Sequence, residues 1–351
     1  MKKRSQIITR KKMTMAQIAE VAGVSVPTVS KVLRRQYDGS QATRERVEQI
    51  LLEHGYLDQR ALQRARNGEK TAVCLVLPLL ESSYELEILR GVDTGLNEIN
   101  HHLILIKRSN EPTHAHQWLM QLSDTALNGV ILVFGDQHHA QVEDTLQQQH
   151  LPFVIVDHLS ELGPTVPSVG INNFAGGRSA VAHLFSLGHR RIGIITGPLT
   201  LACARDRLAG YHTVLSEEGF PVDSALIRHG VFEEAEGIKS GYQEANALLN
   251  LPDPPTAIFA SNDTQAIGVY KALFERGIRI PQDISVIGFD DIPIASQMLP
   301  TLTTVRQPLF EMGRTATSML LRLLENKPLD STRVELPTSL IIRQSCAKSP
   351  L

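Results

Sequence analysis

Three polar residues end apolar runs of strand length. Asp157 closes FVIVD, Asn262 follows TAIFAS, and Asp290 closes DISVIGFD. Arg207 begins from a helical stretch predicted to face the same edge. Hydroxyl groups both donate and accept hydrogen bonds, so two carboxylates, an amide and a guanidinium can clamp a fixed pattern of them. These residues predict a site for a small polar molecule. The alternatives are purely structural roles, in which Asp290 caps the next segment and Arg207 pairs with a neighbouring carboxylate.

The sequence gives little support for catalysis, for metal binding or for a disulfide scaffold. It contains no GxSxG or GxxxxGK[ST] motif, and no GxGxxG follows a strand. The histidines at 101–102, 114, 116 and 138–139 lack acidic or cysteine partners at ligand spacing, so surface histidines are favoured over a metal site. Three cysteines, at 74, 203 and 346, are too few and too far apart for a disulfide scaffold. We therefore predict no cofactor and no metal.

Apolar runs alternate with helical stretches from residue 71 onward. The first series of strands is predicted at 71–78, 102–107, 129–134 and 153–157, with a helical stripe through Leu86, Leu89, Val92, Leu96 and Ile99. A second series is predicted at 189–197, 225–230, 256–261 and 283–290, with helices near 173–187, 203–218, 234–250 and 263–276. The pattern predicts an α/β core of two doubly wound parallel-sheet lobes, with a ligand cleft at the carboxyl ends of the strands.

The N-terminal segment has a different pattern. Met15, Ile18, Ala19 and Ala22 form one helical face, Thr14 and Gln17 form a capping-box pair, and Gly23 supplies a turn. A second helix follows Ser25, with Pro27 in its first turn, and buries Val29, Val32 and Leu33. A third begins near Thr43, buries Val47, Ile50 and Leu51, and stops at Gly55. Three short helices with this turn predict an all-α helix-turn-helix head.

Charge supports a nucleic-acid partner for that head. Residues 1–70 hold 15 Lys and Arg against 7 Asp and Glu, a formal charge of +8, whereas the remaining residues carry −10. Lys31 can donate to guanine, while Val26 and Pro27 can make only apolar base contacts. Phosphate contacts are predicted for Thr28, Ser30, Arg34, Arg44 and Arg46. The full set of predicted DNA contacts is Thr14, Ser25, Val26, Pro27, Thr28, Ser30, Lys31, Arg34, Arg44, Arg64 and Ala65.

Specific motifs then connect head and core to a known family. The stretch MTMAQIAEVAGVSVPTVSKVL with TRERVEQILLEHGY resembles the N-terminal domain of the lactose/galactose repressor family. The resemblance continues to about residue 345 through LGHRRIG at 187–193, RLAGY at 207–211, ASND at 260–263, IGFDD at 287–291 and LTTVRQP at 302–308. It implies a core like that of periplasmic sugar-binding proteins. It also implies a transcription regulator, expected to be a repressor, whose operator affinity is controlled by a small sugar-like effector bound between the two lobes.

In the family, the positions matching Arg207, Asn262 and Asp290 bind the effector. Position in the sequence alone predicts four further effector contacts: Asp157, Tyr84, Phe232 and Gln307. The rings of Tyr84 and Phe232 offer flat apolar faces, and Gln307 lies where the chain crosses between lobes. Many members have two successive aromatics where this chain has Tyr84-Glu85, and Asp-Asn where it has Asn172-Asn173. Glu85 is included among the predicted effector contacts. Our hypothesis is that it suits an effector richer in hydroxyls or carrying a positive group.

The segment between head and core departs furthest from the family. In relatives, a hinge helix places a leucine in the minor groove and kinks the operator. Here the matching position holds Ala65, which has too little volume to open a base step, while Arg60, Arg64 and Arg66 keep the segment basic. We therefore expect less DNA bending than in relatives and a steep salt dependence of binding.

The domain assignment follows from these elements. It comprises a basic arm (1–12), the helix-turn-helix domain (13–57), a hinge (58–70) and a two-lobed core (71–345). Lobe 1 is predicted at 71–158 plus 292–306, and lobe 2 at 159–291 plus 307–345. No leucine heptads follow the core, which favours a homodimer on palindromic double-stranded DNA over a tetramer. With no apolar leader segment or membrane span, a cytoplasmic location is expected.

Two other functions remain open at this point. One is a sugar-processing enzyme domain fused to a DNA-binding head, which would need a nucleophile, metal or phosphate loop that is not visible. The other is a transport-type solute receptor, against which the basic head and the missing leader argue. Turnover of a bound sugar would favour the first, and failure to bind DNA would favour the second.

Overall fold

The computed structural model describes residues 13–33, 37, 39–54, 56, 72–78, 80, 82–98, 101–108, 122, 127–133, 139–157, 163 and 165–350. The chain divides into two compact units, Met1–Thr71 and Ala72–Leu351. The predicted arm at 1–12 and the predicted hinge at 58–70 lie outside the described residues.

The first unit contains the three predicted helices, α1 (Met15–Ala22), α2 (Val26–Leu33) and α3 (Gln41–Glu53). The capping box is confirmed, because Gln17 N donates to Thr14 Oγ1 at 3.3 Å and Thr14 N donates to Gln17 Oε1 at 2.9 Å. Gly23 ends α1 in the left-handed region at φ 62°, where a glycine carries no steric cost.

Seven small or branched apolar residues from all three helices form the core of the head: Ile18, Ala19, Ala22, Val29, Val32, Val47 and Leu51. Thr28 N donates to Ser25 Oγ at 3.3 Å, which confirms the predicted cap of α2. Ser40 caps α3 in the same way, so this helix begins two residues before the predicted Thr43. The predicted stop at Gly55 lies outside the described residues.

The second unit contains two six-stranded sheets. The first has the order β11-β5-β4-β3-β1-β2, and its pairings are all parallel. Its strands are β1 (Ala72–Leu77), β2 (His102–Lys107), β3 (Gly129–Val133), β4 (Phe153–Val156), β5 (Ser168–Ile171) and β11 (Arg333–Leu336). The central strands β1, β3 and β4 are buried along almost their whole length, as continuous apolar runs require.

The second sheet has the order β12-β10-β9-β8-β6-β7. Its strands are β6 (Ile192–Thr196), β7 (Ile227–His229), β8 (Ala257–Ala260), β9 (Ser285–Asp290), β10 (Thr303–Arg306) and β12 (Ser339–Ile341). All pairings are parallel except that of β12 with β10. The doubly wound α/β core predicted from the sequence is confirmed.

Helices cover both sheets. They are α4 (Ser83–Asn97), α5 (His139–Gln148), α6 (Asn173–Ser186), α7 (Ala202–Glu217), α8 (Glu234–Leu249), α9 (Asp263–Glu275) and α10 (Leu309–Leu324). Helices α6 and α7 approach so closely that a Cβ at Gly177 would lie 2.5 Å from the Arg207 backbone oxygen. Glycine at 177 therefore determines how near Arg207 comes to α6.

The predicted lobe boundaries are wrong in two places. Strand β10, within the segment assigned to lobe 1, belongs to the second sheet, whereas β5, α10 and β11, assigned to lobe 2, belong to or pack on the first. The chain crosses between sheets at Asn172, at Gln307-Pro308 and at 337–338. The error arose because β5 (SVGI) is too short and too rich in small residues to be recognised as a strand.

The predicted face of α4 is also shifted. The buried residues are Glu85, Ile88, Gly91, Val92 and Leu96, whereas Leu86 is exposed and Ile99 lies outside the described residues. Val92 and Leu96 are buried as predicted and Leu89 packs against the core, so only the first turn is wrong, where the carboxyl group of Glu85 gives no apolar signal.

Candidate functional site

The candidate site lies at the carboxyl ends of strands from both sheets, beside the crossings of the chain. Asp157 follows β4 and Asp290 ends β9, while Asn262 follows β8 and Gln307 follows β10. The pKa of Tyr84 on α4 is affected by charges on Asp157, Asp290 and Arg207, so groups of both lobes meet here. The predicted convergence of these side chains is therefore present in the structure.

Arg207 is buried at the centre of this site. Its Nε donates to Asn173 Oδ1 at 2.9 Å, and its Nη1 donates to the Ser261 carbonyl at 2.6 Å. Nη1 also lies 3.7 Å from Asp290 Oδ1. The guanidinium carbon lies 3.7 Å from the centre of the Phe289 ring and 5.4 Å from that of Phe232. Hydrogen bonds and stacking together fix the orientation of this side chain.

Asp290 is held by the residue that follows the neighbouring strand β10. Gln307 Nε2 donates to Asp290 Oδ1 at 2.6 Å, and Asp290 itself has φ 114°, an uncommon conformation for a residue with a Cβ. Burial raises the pKa of Asp290 to about 7, although the charge of Arg207 acts to lower it. Strained backbone and a shifted pKa are typical of a functional position.

The first lobe contributes Tyr84 and Asp157. Tyr84 lies in the first turn of α4, which Ser82 caps, and its hydroxyl donates to Asp157 Oδ2 at 2.7 Å. Burial raises the pKa of Tyr84 well above its usual value, and the Asp157 carboxylate adds to this effect. Tyr84 therefore remains protonated and can act as a donor at neutral pH.

Glu85, the neighbour of Tyr84, is a buried carboxyl group. Its exposed fraction is 7%, and its Oε2 has no hydrogen-bond partner within the described residues. Burial raises the pKa of Glu85 to about 7, a hydrogen bond from Ser82 opposes this shift, and Asp157 and Asp290 add to it. Glu85 thus belongs electrostatically to the same cluster as Asp157 and Asp290.

Asn262 and Phe232 support the site in ways that the sequence did not indicate. Asn262 Oδ1 accepts from Gln265 N at 2.9 Å as the N-cap of α9, and its Nδ2 donates weakly to the Phe232 carbonyl at 3.4 Å. Phe232 lies half-buried against Gly197 and faces Arg207. The effector-binding role of both residues remains a prediction.

Four further residues were not predicted as part of the site: Asn173, Cys203, Ser261 and Phe289. Asn173 orients Arg207, and Phe289 stacks on it. Burial raises the pKa of Cys203 to about 12, so this thiol is not a nucleophile at neutral pH. The IGFDD motif contains the signal for Phe289, because an aromatic next to a strand-end aspartate can stack on a guanidinium in the same site.

In the head, the predicted base-reading residues form an accessible surface. Val26, Pro27 and Lys31 are exposed, as are Ser25 and Thr14, although the last two also cap helices. Thr28 and Ser30 are half-buried, and Arg44 is exposed and donates to the Tyr37 carbonyl. The predicted contacts Arg34, Arg64 and Ala65 lie outside the described residues.

Other kinds of site are not evident in the described part of the chain. None of its helices is long and apolar enough to cross a membrane. Nor does it bring three or more His, Cys, Asp or Glu side chains together in an arrangement that could hold a metal ion.

Comparison with family models matches both units of the chain. Residues 14–59 match the model of bacterial regulatory proteins of the lacI family. Residues 181–346 match a periplasmic binding protein-like domain. The second match includes Arg207, Asn262, Asp290 and Gln307, and the first includes all three helices of the head.

Individual proteins match over almost the full length. The chain is 33% identical over 342 residues to the HTH-type transcriptional repressor CytR of Escherichia coli K12, covering 96% of this chain and 97% of CytR. It is 31% identical over 332 residues to the ribose operon repressor of the same strain, covering 95% and 99%. The lac repressor dimer bound to operator and the anti-inducer ONPF superimposes with a TM-score of 0.70 at 27% identity, covering 96% and 100%.

Proposed function

This chain belongs to the lacI family of bacterial regulatory proteins, and we propose that the effector controlling it is a sugar-like molecule held around Arg207 and Asp290. It is a DNA-binding transcriptional repressor rather than an enzyme, and it acts as a dimer. The observation that carries the proposal is the buried Arg207–Asp290 pair at the strand ends, where both lobes meet.

The DNA-binding role rests on the exposed surface of α2. In a dimer, two copies of α2 enter successive major grooves of a palindrome, where Lys31 donates to guanine and Val26 and Pro27 make apolar base contacts. Arg44 and Arg46 contact phosphates and set the register of the head. The protein works in the cytoplasm, where bacterial DNA is accessible to it.

Two substitutions distinguish base from phosphate contacts on an operator selected from a random pool of duplexes. We expect Lys31→Met to lower affinity for the selected operator about 10-fold or more and to leave affinity for unrelated duplex nearly unchanged. The matched control, Arg46→Met, should weaken both to a similar degree. An equal loss on both duplexes for Lys31→Met would contradict base reading.

Effector control is tested by melting the protein against sugars and by measuring operator affinity with the same compounds. A ligand at 100 times its dissociation constant stabilises the native state by about 2.7 kcal/mol. Because coupling is reciprocal, the factor by which a sugar changes operator affinity must equal the factor by which operator changes sugar affinity. A sugar that binds without this coupling would refute its role as effector.

An exposed apolar patch on the second lobe is proposed as part of the dimer contact. Phe274 at the end of α9 is 85% exposed, and Leu299 is 88% exposed. With Tyr270, Ile278 and Pro300, they line a surface groove of about 610 Å³. Apolar groups this exposed are typical of surfaces covered by another protein molecule.

A paired substitution in this patch tests the dimer contact. We expect Phe274→Ser with Leu299→Ser to shift the protein towards monomer in sedimentation and to weaken operator binding. The matched control, Val222→Ser, removes another exposed apolar side chain of the second lobe. A double variant that stays dimeric would exclude the patch as the contact.

We make a separate proposal for the hinge, and it rests on the sequence alone because these residues lie outside the described part of the chain. Ala65 leaves the operator less bent than a leucine would, and the basic residues of the hinge make binding depend steeply on salt. Circular-permutation mobility should show a small bend for the natural chain and a larger one for Ala65→Leu. A strong kink at the operator dyad with the natural chain would disprove this.

A further inference from the structure

The turn that follows β9 carries Asp290 into the candidate site in a strained backbone conformation. Asp290 has φ 114° and Asp291 has φ 58°, in the region that favours glycine. Two successive residues with side chains persist in this region only when surrounding contacts hold them there. The position of Asp290 Oδ1, 3.7 Å from Arg207 Nη1, therefore depends on the groups that fix this turn.

Several contacts hold the first two residues of the turn. Arg306 Nε and Arg343 Nη2 each lie 2.6 Å from an oxygen of Asp291. Gln307 donates from Nε2 to the Asp290 side chain at 2.6 Å and from its backbone N to the Asp290 carbonyl at 3.2 Å. These contacts end at Asp291, so the next part of the backbone must be fixed by another group.

Asp263, which has no exposed surface, binds the backbone beyond Asp291. Its Oδ2 accepts from Ile292 N at 3.0 Å, and its Oδ1 accepts from Thr304 Oγ1 at 2.6 Å. Asp263 is the first residue of α9, Ile292 follows β9, and Thr304 lies in β10. One carboxyl group thus joins a helix, the turn and a strand.

The close approach of this carboxyl group to β9 requires a glycine at 288. Gly288 is the partner of Thr304 in the pairing of β9 with β10. A Cβ at 288 would overlap Asp263 Oδ1 and would lie 2.8 Å from Leu302 Cδ2. An alanine at this position would therefore displace the carboxyl group of Asp263 while leaving its chemistry unchanged.

We propose that Asp263 is a positioning residue of the effector site, which holds the strained turn so that Asp290 faces Arg207. The inference rests on the effector role proposed above and adds a residue that does not itself touch the effector. Asp263 is fully buried and both of its oxygens are engaged, so it acts through Asp290.

A neutral amide of the same shape can make both contacts. In Asp263→Asn, Oδ1 accepts from Ile292 N and Nδ2 donates to Thr304 Oγ1, because a hydroxyl accepts as well as donates. Burial and the charge of Asp290 raise the pKa of Asp263 well above its usual value, so the neutral form is already favoured. Asp263→Asn should therefore retain the turn, whereas Asp263→Ala removes both contacts.

The first test needs no ligand and measures amide hydrogen exchange of the full-length protein by mass spectrometry. Overlapping peptides isolate the exchange of residues 288–294. We expect Asp263→Ala and Gly288→Ala to accelerate this exchange about 10-fold or more, and Asp263→Asn to change it by less than about 3-fold. Crystal structures should show Asp290 moved away from Arg207 in the two alanine variants and in place in Asp263→Asn.

Ser285→Ala is the matched control that separates positioning from a loss of stability. Ser285 is buried at the start of β9, where its hydroxyl accepts from Ala347 N at 3.1 Å. This variant should melt at a lower temperature without faster exchange at 288–294. Equal acceleration in Ser285→Ala and Asp263→Ala would refute the positioning role, as would an unchanged turn in Asp263→Ala. If Asp263→Ala does not fold, Thr304→Val removes a single hydroxyl and should accelerate the exchange to a smaller extent.

The consequence for effector binding is measured by calorimetry at a temperature where every variant is folded. The probes are D-ribose, D-xylose, D-glucose, D-galactose, cellobiose and lactose. For each sugar that binds the natural chain, Asp263→Ala should lower the affinity about 10-fold or more, and Asp263→Asn by about 3-fold or less. Operator affinity without sugar should change by less than about 3-fold in both variants.

The outcomes separate this inference from the function on which it depends. If Asp263→Ala binds a sugar as tightly as the natural chain does, Asp263 has only a structural role and the inference is refuted. If none of the six sugars binds the natural chain, the proposal of a sugar-like effector fails. The exchange and the distance between Asp290 and Arg207 then decide whether Asp263 holds the turn.

Discussion

The two sides of the candidate effector site are built differently. On the second lobe, Arg207 is fixed by Asn173, Ser261 and Phe289, with Asp290 beside it. On the first lobe, Tyr84 donates to Asp157, and Glu85 Oε2 has no hydrogen-bond partner among the residues that the structure describes. The second lobe therefore holds its cation in a fixed orientation, whereas the first lobe presents a buried carboxyl oxygen that a ligand can contact.

The largest effect is expected from breaking the anchor. Arg207→Met removes the cation and leaves Asp290 buried, so effector affinity should fall at least 100-fold, while operator binding in the absence of effector persists. Calorimetry and operator binding measure both. The matched control, Arg205→Met, removes an exposed arginine of the same helix that binds backbone carbonyls. Equal losses in the two variants would contradict the anchor.

A second prediction concerns the buried acid of the first lobe. The pKa of Glu85 is about 7 in the native state, against about 4.3 in an unfolded chain. The native state therefore binds more protons between these values, and its stability falls as pH rises from about 4.5 to 7.

Glu85→Gln should remove about 3 kcal/mol of this pH dependence, seen by denaturant unfolding at pH 5 and at pH 7.5. Asp290 has a raised pKa of the same sign and remains in the variant, so part of the slope persists. The surface variant Glu87→Gln should follow the wild-type curve. Identical curves for Glu85→Gln and wild type would show that this carboxyl is ionised throughout.

Tyr84→Phe tests how much the first lobe contributes to effector affinity. The change removes the donor to Asp157 without altering ring size, so we expect effector affinity to fall about 10-fold, less than for Arg207→Met. Tyr242→Phe is the control, because that hydroxyl binds Glu275 at the surface. A loss as large as that of Arg207→Met would place the anchor on the first lobe instead.

The smallest effect is expected at Asn262. A serine is also a good N-cap and stays neutral, so it retains the cap of α9 and loses the amide, which makes a weak 3.4 Å hydrogen bond to the Phe232 carbonyl. Asn262→Ser should therefore change effector affinity by about 3-fold or less. Asn262→Ala also removes the cap and should lower stability by about 1 kcal/mol. A large loss of affinity in Asn262→Ser would show that the amide binds effector directly.

Most strands could be predicted from the sequence because central parallel strands are continuous apolar runs, as in β1, β3 and β4. The positions of Asp157 and Asp290 followed from the ends of those runs. Short strands such as β5 carry no comparable signal, so the lobe boundaries were wrong. The partners of Arg207 depend on helix packing and on a neighbouring strand, which spacing along the chain does not encode.

The three crossings of the chain between the sheets restrict how the lobes can move. Asn172 Nδ2 in the first crossing donates to Oε1 of Glu335, which lies beside the third crossing, at 2.9 Å. This hydrogen bond connects two of the three crossings. A single crossing would permit twisting, shearing and bending of one lobe against the other. Three crossings allow rotation about one common axis and oppose the other motions. We therefore expect a ligand that closes the site to rotate one lobe against the other through a single angle.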